Sequence, residues 1–312
     1  MTNNGIADTE SKKAQRRKAV GPILALVLAS LLGGCAQLEA PQDSAPVDLK
    51  FRSIFNTSDS RDACAGQINP STTEEIINLS DPNTLVDEYD AQRRVNKIAR
   101  LFRDAEDPRG LFATVYRLIT NRAVESVEDG DYEHPTWARS LITEFARRYL
   151  RNLHAYFTKG EITGQWKKYY RLAENCDVGR GRTLGVAIAV HLMVDLPKTL
   201  YAIDSLPEQR EDFVLFGDIL LEIFPQLIND VERDYKTDVS DLLRGFFLGD
   251  WVDKFTHRGA MTAFMYQGIR LKAWRDGQNY RQFPRRVVDL EIRVAWGVVE
   301  VTLAHLDAVG AL

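Results

Sequence analysis

Apolar residues recur at helical spacing along most of this chain. Trp137, Leu141, Phe145, Tyr149, Leu153 and Phe157 fall every four residues, with Ile142, Ala146 and Leu150 alongside, and predict one long amphipathic helix. Phe213, Phe216, Leu220, Ile223, Leu227 and Val231 predict a second, with Ser205-Leu206-Pro207-Glu208 as its capping box and proline in the first turn. Val287 to Leu306 predicts a third, and residues 108–124 and 257–275 read as further helices. Ser71-Thr72-Thr73-Glu74 has capping-box spacing before Ile76 and Ile77 and marks a short helix in an otherwise polar segment. Leu184 to Val194 is almost wholly apolar, and a helix apolar all round is a buried one. No alternating strand pattern and no hairpin dipeptide interrupts this series. The fold class expected is all-α, a multi-helix bundle forming a single domain.

The N-terminus has a different grammar. Lys12, Lys13, Arg16, Arg17 and Lys18 form a basic segment, followed by a short apolar run from Gly21 to Leu32. That run is too short for a spanning helix, which needs about 20 residues, and suits a cleaved signal sequence. It ends in Leu32-Gly33-Gly34-Cys35, which resembles the lipobox of bacterial lipoproteins. The resemblance implies cleavage before Cys35, lipidation of its thiol, and attachment to a membrane through that lipid. Ala36 after the cysteine, where inner-membrane lipoproteins carry Asp, implies the outer membrane, facing the periplasm. The expected organisation is a signal peptide over 1–34, lipidated Cys35 and a flexible linker over 35–49, an irregular segment over 50–84, and a helical domain over 85–312.

Charge and cysteines narrow the picture. The chain of 312 residues is 45% hydrophobic with a net charge of −4, and removal of the leader's five basic and two acidic residues leaves the remainder near −7. Basic residues are scattered among acids rather than striped on one face, which excludes a nucleic-acid-binding reading. With Cys35 assigned to lipid, Cys64 and Cys176 remain, both in polar, turn-like surroundings. In an oxidising envelope they are candidates for a disulfide tying the N-terminal segment to the helical body; the alternative is two free thiols.

Two residues stand out in the buried helix. His191 and Asp195 are four apart and share a face, and buried polar groups must find partners. Three readings compete. The two pair with each other or with an arginine; or Asp195 caps a new segment where Pro197 breaks the chain; or they are metal ligands or an acid–base pair. His134, in Glu133-His134-Pro135-Thr136-Trp137 at the start of the long helix, is the candidate third member. Zinc or iron takes histidine and carboxylate ligands with an open water position, so His134, His191 and Asp195 form the candidate metal set. A hydrolase-like site would follow, with a metal-activated water or with His191 as a base oriented by Asp195. The rival reading is a non-catalytic envelope binding or structural lipoprotein. Gly179-Arg180-Gly181-Arg182 offers an anion cradle at a helix N-terminus or a simple lead-in. Asp230 and Asp234, again four apart, read as solvated or paired with Arg233, with a metal role as the alternative.

In order along the chain, His134-Pro135-Thr136-Trp137, His191-Leu192-Met193-Val194-Asp195-Leu196-Pro197, Glu211-Asp212-Phe213 and Arg293-Val294-Ala295-Trp296 resemble DUF5995, a bacterial domain family of unknown function. The resemblance spans roughly residues 85–306. It implies a helical domain and points to His134, His191 and Asp195, without supplying an activity. The family carries Asn-Ala-His-Ile where this chain has Ala189-Val190-His191-Leu192. The histidine and aspartate match and the asparagine does not, which implies an altered site if that asparagine serves one in relatives.

Overall fold

The computed structural model describes residues 68–240, 242–243 and 260–308. The leader, Cys35, the linker, Cys64, His257 and most of the 50–84 segment lie outside them. Among the described residues the secondary structure is helical throughout, with no strand. The helices are α1 (Pro70–Ser80), α2 (Glu88–Asp104), α3 (Leu111–Glu128), α4 (Pro135–Phe157), α5 (Gly164–Ala173), α6 (Arg180–Val190), α7 (Leu196–Ala202), α8 (Arg210–Leu221), α9 (Phe224–Tyr235), α10 (Ala260–Gln282) and α11 (Arg285–Ala308). Short 3-10 turns precede α2, α3 and α8.

The helical packing reaches back to Pro70, into the segment read as irregular. Ile76 of α1 is fully buried, and α1 lies against α2 and α4. Its cap is Asn69 rather than Ser71: Thr72 N–H donates to Asn69 Oδ1 at 2.8 Å, and the Ser71 hydroxyl donates to the same oxygen. Arg94 of α2 holds the following turn in place. Its guanidinium donates to the carbonyls of Asp81 (3.0 Å) and Thr84 (2.6 Å) and to Asp90 Oδ2 (2.8 Å).

The helix expected over the Phe213–Val231 stripe is two helices. Pro225 has no N–H to donate, so the chain turns at Glu222–Ile223 and restarts with proline in the first turn of α9. The capping box at its start is also displaced. Leu206 N–H donates to Gln209 Oε1 at 2.7 Å, while the buried Ser205 hydroxyl accepts a hydrogen bond from Trp137 Nε1 at 2.9 Å.

The centre of the bundle is the stretch Arg180–Ala202. By length and composition it is apolar enough to cross a membrane, but 89% of its most apolar window is buried inside the protein. Helices α3, α5 and α11 pack on α6, while α4 and α10 pack on α7. Between α6 and α7 the residues His191–Asp195 form a wider π turn instead of a break. Pro197 lacks the N–H that would reach the carbonyl four residues back, and the wider turn immediately before it accommodates the ring without ending the rod. The expected role of Asp195 as a cap is not realised: its side chain makes no capping hydrogen bond.

Candidate functional site

The π turn places His191 and Asp195 in the core, each about 3% exposed. Asp195 Oδ2 lies 3.1 Å from His191 Nδ1 and accepts a hydrogen bond from Trp166 Nε1 of α5 at 2.9 Å. A carboxylate only accepts, so the network assigns the imidazole proton to Nδ1 and leaves a lone pair on Nε2. Nε2 is buried and has no hydrogen-bond partner among the described residues. The ring is stacked on Phe145 of α4, with centroids 3.6 Å apart and planes 10° apart. Tyr116 and Phe112 of α3 meet its plane edge-on at 4.6 and 5.0 Å.

These surroundings set the protonation state. Burial pushes the His191 pKa below its ordinary 6.5, overcoming the pull of Asp195 in the other direction, and Arg148 adds to the lowering. The imidazole is therefore neutral at pH 7. Burial likewise drives Tyr116 well above its usual value, with the Asp195 charge adding to the effect. Arg148, held by Glu144 at 2.9 Å, donates to Thr199 Oγ1 and the Lys198 carbonyl, and Thr199 Oγ1 donates back to the Asp195 carbonyl. The dyad thus sits on a turn braced from α4.

His191 also lines an apolar pocket whose walls include Phe112, Phe145, Phe216, Leu220 and Leu227. It offers about 50 Å³ of room for water-sized groups within about 720 Å³ of space that is partly open to solvent. Among the described residues Arg270 is the charged residue on the wall. It is 2% exposed, its guanidinium lies 4.2 Å over the Phe213 ring, and it donates to the Phe213 carbonyl.

His134 has a different partner. It precedes α4, with Pro135 in the first turn as expected, but its Nδ1 bonds Asp212 Oδ2 at 2.9 Å. The same carboxylate, from the first turn of α8 and 4% exposed, accepts the backbone N–H of His134 at 2.7 Å and that of Glu133 at 3.0 Å. Asp212 is a negative charge at the positive end of the long helix. The expected set of His134, His191 and Asp195 does not assemble, because each histidine is committed to its own carboxylate. Among the described residues no group of three or more His, Cys, Asp and Glu is arranged to hold a metal ion.

The remaining expectations resolve in the same way. The N-terminus of α6, the candidate anion cradle, receives the chain's own carboxylate: Gly179 N–H donates to Asp307 Oδ1 at 3.1 Å, and Arg182 pairs with Glu300 and Asp307. Asp230 and Asp234 both pair with Arg233, and Asp230 is also bound by Arg117 of α3. Cys176 forms a disulfide; Cys64, its expected partner, lies outside the described residues.

Sequence reasoning missed Trp166, Phe145 and Asp212 as site residues. Asp212 had a signal in the Glu211-Asp212-Phe213 segment, but nothing in the spacing tied it to His134. Trp166 had none.

No curated protein and no solved structure matches this chain. A family model does, over residues 89–303, which takes in the dyad, Trp166, His134, Asp212 and Arg270. The chain belongs to the family of unknown function DUF5995.

Proposed function

We propose that this protein is a cell-envelope lipoprotein, held at the outer membrane by lipid on Cys35 and facing the periplasm, whose helical domain binds a small, mostly apolar ligand beside His191. The supporting observation is the buried, unpartnered Nε2 of a neutral imidazole on the wall of an apolar pocket. Leaving a buried acceptor unpaired costs about 1–3 kcal/mol, and a ligand hydroxyl that donates to Nε2 removes that cost. The limited room suits a small head group and the apolar walls suit a chain, as in other ligand pockets with few convergent polar groups. The preferred class is a neutral amphiphile, such as a medium-chain alcohol, rather than a carboxylate, which has no proton to give.

An acid–base reading draws on the same imidazole. Neutral and oriented by Asp195, it has the features of a general base. Product formation from an ester-bearing ligand would separate that reading from simple binding. A metal at His134, His191 and Asp195 has no comparable support.

The test is a thermal-shift titration of the full chain with a medium-chain alcohol, the matching alkane and the matching carboxylate. The alcohol raises the melting temperature most, and His191→Phe abolishes its advantage over the alkane. The reading fails if none of the three binds, or if alcohol and alkane are equivalent in the unsubstituted protein.

A further inference from the structure

His191 Nδ1 is turned to Asp195, so Nε2 is the polar atom that the ring brings to the pocket, and it carries a lone pair rather than a proton. A head group that binds there must donate. A carboxylate has no proton to donate, but a carboxylic acid has one on its hydroxyl. The neutral acid is also the form that apolar walls accept, because an ionised carboxylate would lose its hydration on entering. We propose that the pocket takes up medium-chain carboxylic acids in the neutral form, each entering with one proton drawn from solvent, so that it loads them as the pH falls. This rests on the ligand site inferred above and adds to it a second ligand class and the condition that controls it.

The groups around the ring favour the neutral acid. Asp195 lies on the same turn, and its charge already raises Tyr116 of α3. A second carboxylate across the imidazole would be repelled by the first. Arg148 of α4 is engaged by Glu144, Thr199 and the Lys198 carbonyl. From α5 comes the Trp166 indole, which is uncharged. On α7, Lys198 pairs with Asp289 at 3.4 Å. On α10, Lys272 and Asp276 pair with each other at 2.5 Å, and α11 sets Ile292 and Ala295 beside Met193 of the turn. Arg270, also on α10, is the cation on the pocket wall; it lies over the Phe213 ring and donates to the Phe213 carbonyl. An acid held by Arg270 would bind as the anion and take up no proton. The two modes therefore differ in a quantity that can be counted.

The neutral fraction of the ligand sets its affinity. With a carboxyl pKa near that of a glutamate side chain, about 4.3, the acid is almost wholly ionised at pH 7, and its neutral fraction rises about tenfold per pH unit on the way to pH 5. Burial keeps the imidazole neutral below its ordinary 6.5, so the acceptor outlasts the usual histidine range. The proton count is the same whether the proton rests on the carboxyl or on Nε2. An alcohol keeps its hydroxyl proton throughout and gains nothing from acid.

The experiment is calorimetric titration of the full chain with octanoate and with octanol at pH 7 and pH 5, in buffers of differing ionisation enthalpy. The expected result is octanoate binding that tightens by at least about tenfold from pH 7 to pH 5, with close to one proton taken up at pH 7. Octanol binding does not tighten over that range and takes up none. His191→Phe, checked for folding by circular dichroism, abolishes the tightening by removing the acceptor. A second measurement needs no variant: in protein with nitrogen-15-labelled histidine, octanoate at pH 5 shifts the His191 Nε2 resonance. Octanol binding beside octanoate binding that is pH-independent and takes up no proton overturns the inference in favour of an anion at Arg270, and leaves the ligand site standing. Proton-linked binding that persists in His191→Phe, or an unmoved Nε2 resonance, overturns it in favour of simple partition into the apolar walls. If neither ligand binds at either pH, the ligand site itself fails and this inference with it.

Discussion

Replacing Trp166 by Phe tests whether the buried dyad is a braced polar unit or a pair of tolerated core residues. The substitution keeps an aromatic ring in place and removes one donor to Asp195 Oδ2, an oxygen shared with His191. A hydrogen bond to a charged group contributes about 1.5–3 kcal/mol, and the smaller ring leaves a gap costing about 1 kcal/mol more. The expected loss is therefore about 2.5–4 kcal/mol. For a domain of this size each kcal/mol moves the melting temperature by about 2–4 °C. Tyr149→Phe is the matched control. Tyr149 is fully buried in the same aromatic cluster, 5.5 Å from Trp166, and its hydroxyl has no hydrogen-bond partner among the described residues. Deleting that hydroxyl removes an unsatisfied group and should be neutral or stabilising by about 1 kcal/mol. Urea denaturation at neutral pH reads both midpoints. If Trp166→Phe costs no more than Tyr149→Phe, the Asp195 carboxylate does not depend on the indole and the account of the site is wrong.

Four further outcomes are expected. His191 has a lowered pKa in the folded protein, so the unfolded chain takes up its proton first; stability then falls as the pH drops below about 6.5 and keeps falling toward the lower folded pKa. His191→Phe removes that component, so the unsubstituted protein loses stability relative to the variant between pH 7.5 and 5, and parallel pH profiles would sink the argument. Asp212→Ala frees the N-terminus of α4 and the His134 ring at a cost of about 2–3 kcal/mol; amide exchange at Glu133 and His134 should accelerate, and unchanged protection there would contradict the assignment. Arg94→Lys cannot reach two carbonyls and a carboxylate at once; a loss of about 2–3 kcal/mol in urea is expected, from partners left unmade, and a neutral result refutes the role given to Arg94. Gly110→Ala places a Cβ against the Phe102 side chain and the Tyr235 hydroxyl, so a loss of about 1–3 kcal/mol is expected in the same assay, and an unshifted midpoint would refute it.

The sequence by itself determined what depends on local order. Four-residue spacing of Trp137 through Phe157 specified α4, because side chains that far apart share one face of a helix. The all-round apolar stretch ending at Val194 specified a buried rod, because such a surface has no polar side to turn to water. The i, i+4 spacing of His191 and Asp195 brought them within reach of each other wherever the helix lay.

What only the tertiary structure decided is which distant groups meet. Phe213 to Val231 reads as one stripe, but Pro225 divides it and lets α8 and α9 pack separately. His134 is 78 residues from Asp212 in sequence, and the approach of α8 to the start of α4 joins them, leaving His191 with Asp195 alone. Trp166 meets Asp195 because α5 packs on α6. Val287, Leu290, Val294 and Val301 of α11 are exposed while Val288, Ile292 and Val299 are buried, a division hidden within a single reading of Val287–Leu306, since hydrophobicity alone does not tell a side chain facing the core from one facing solvent. Helical periodicity encodes neighbours within a turn, whereas partners across the bundle are fixed by how helices pack, and no spacing in the chain records that.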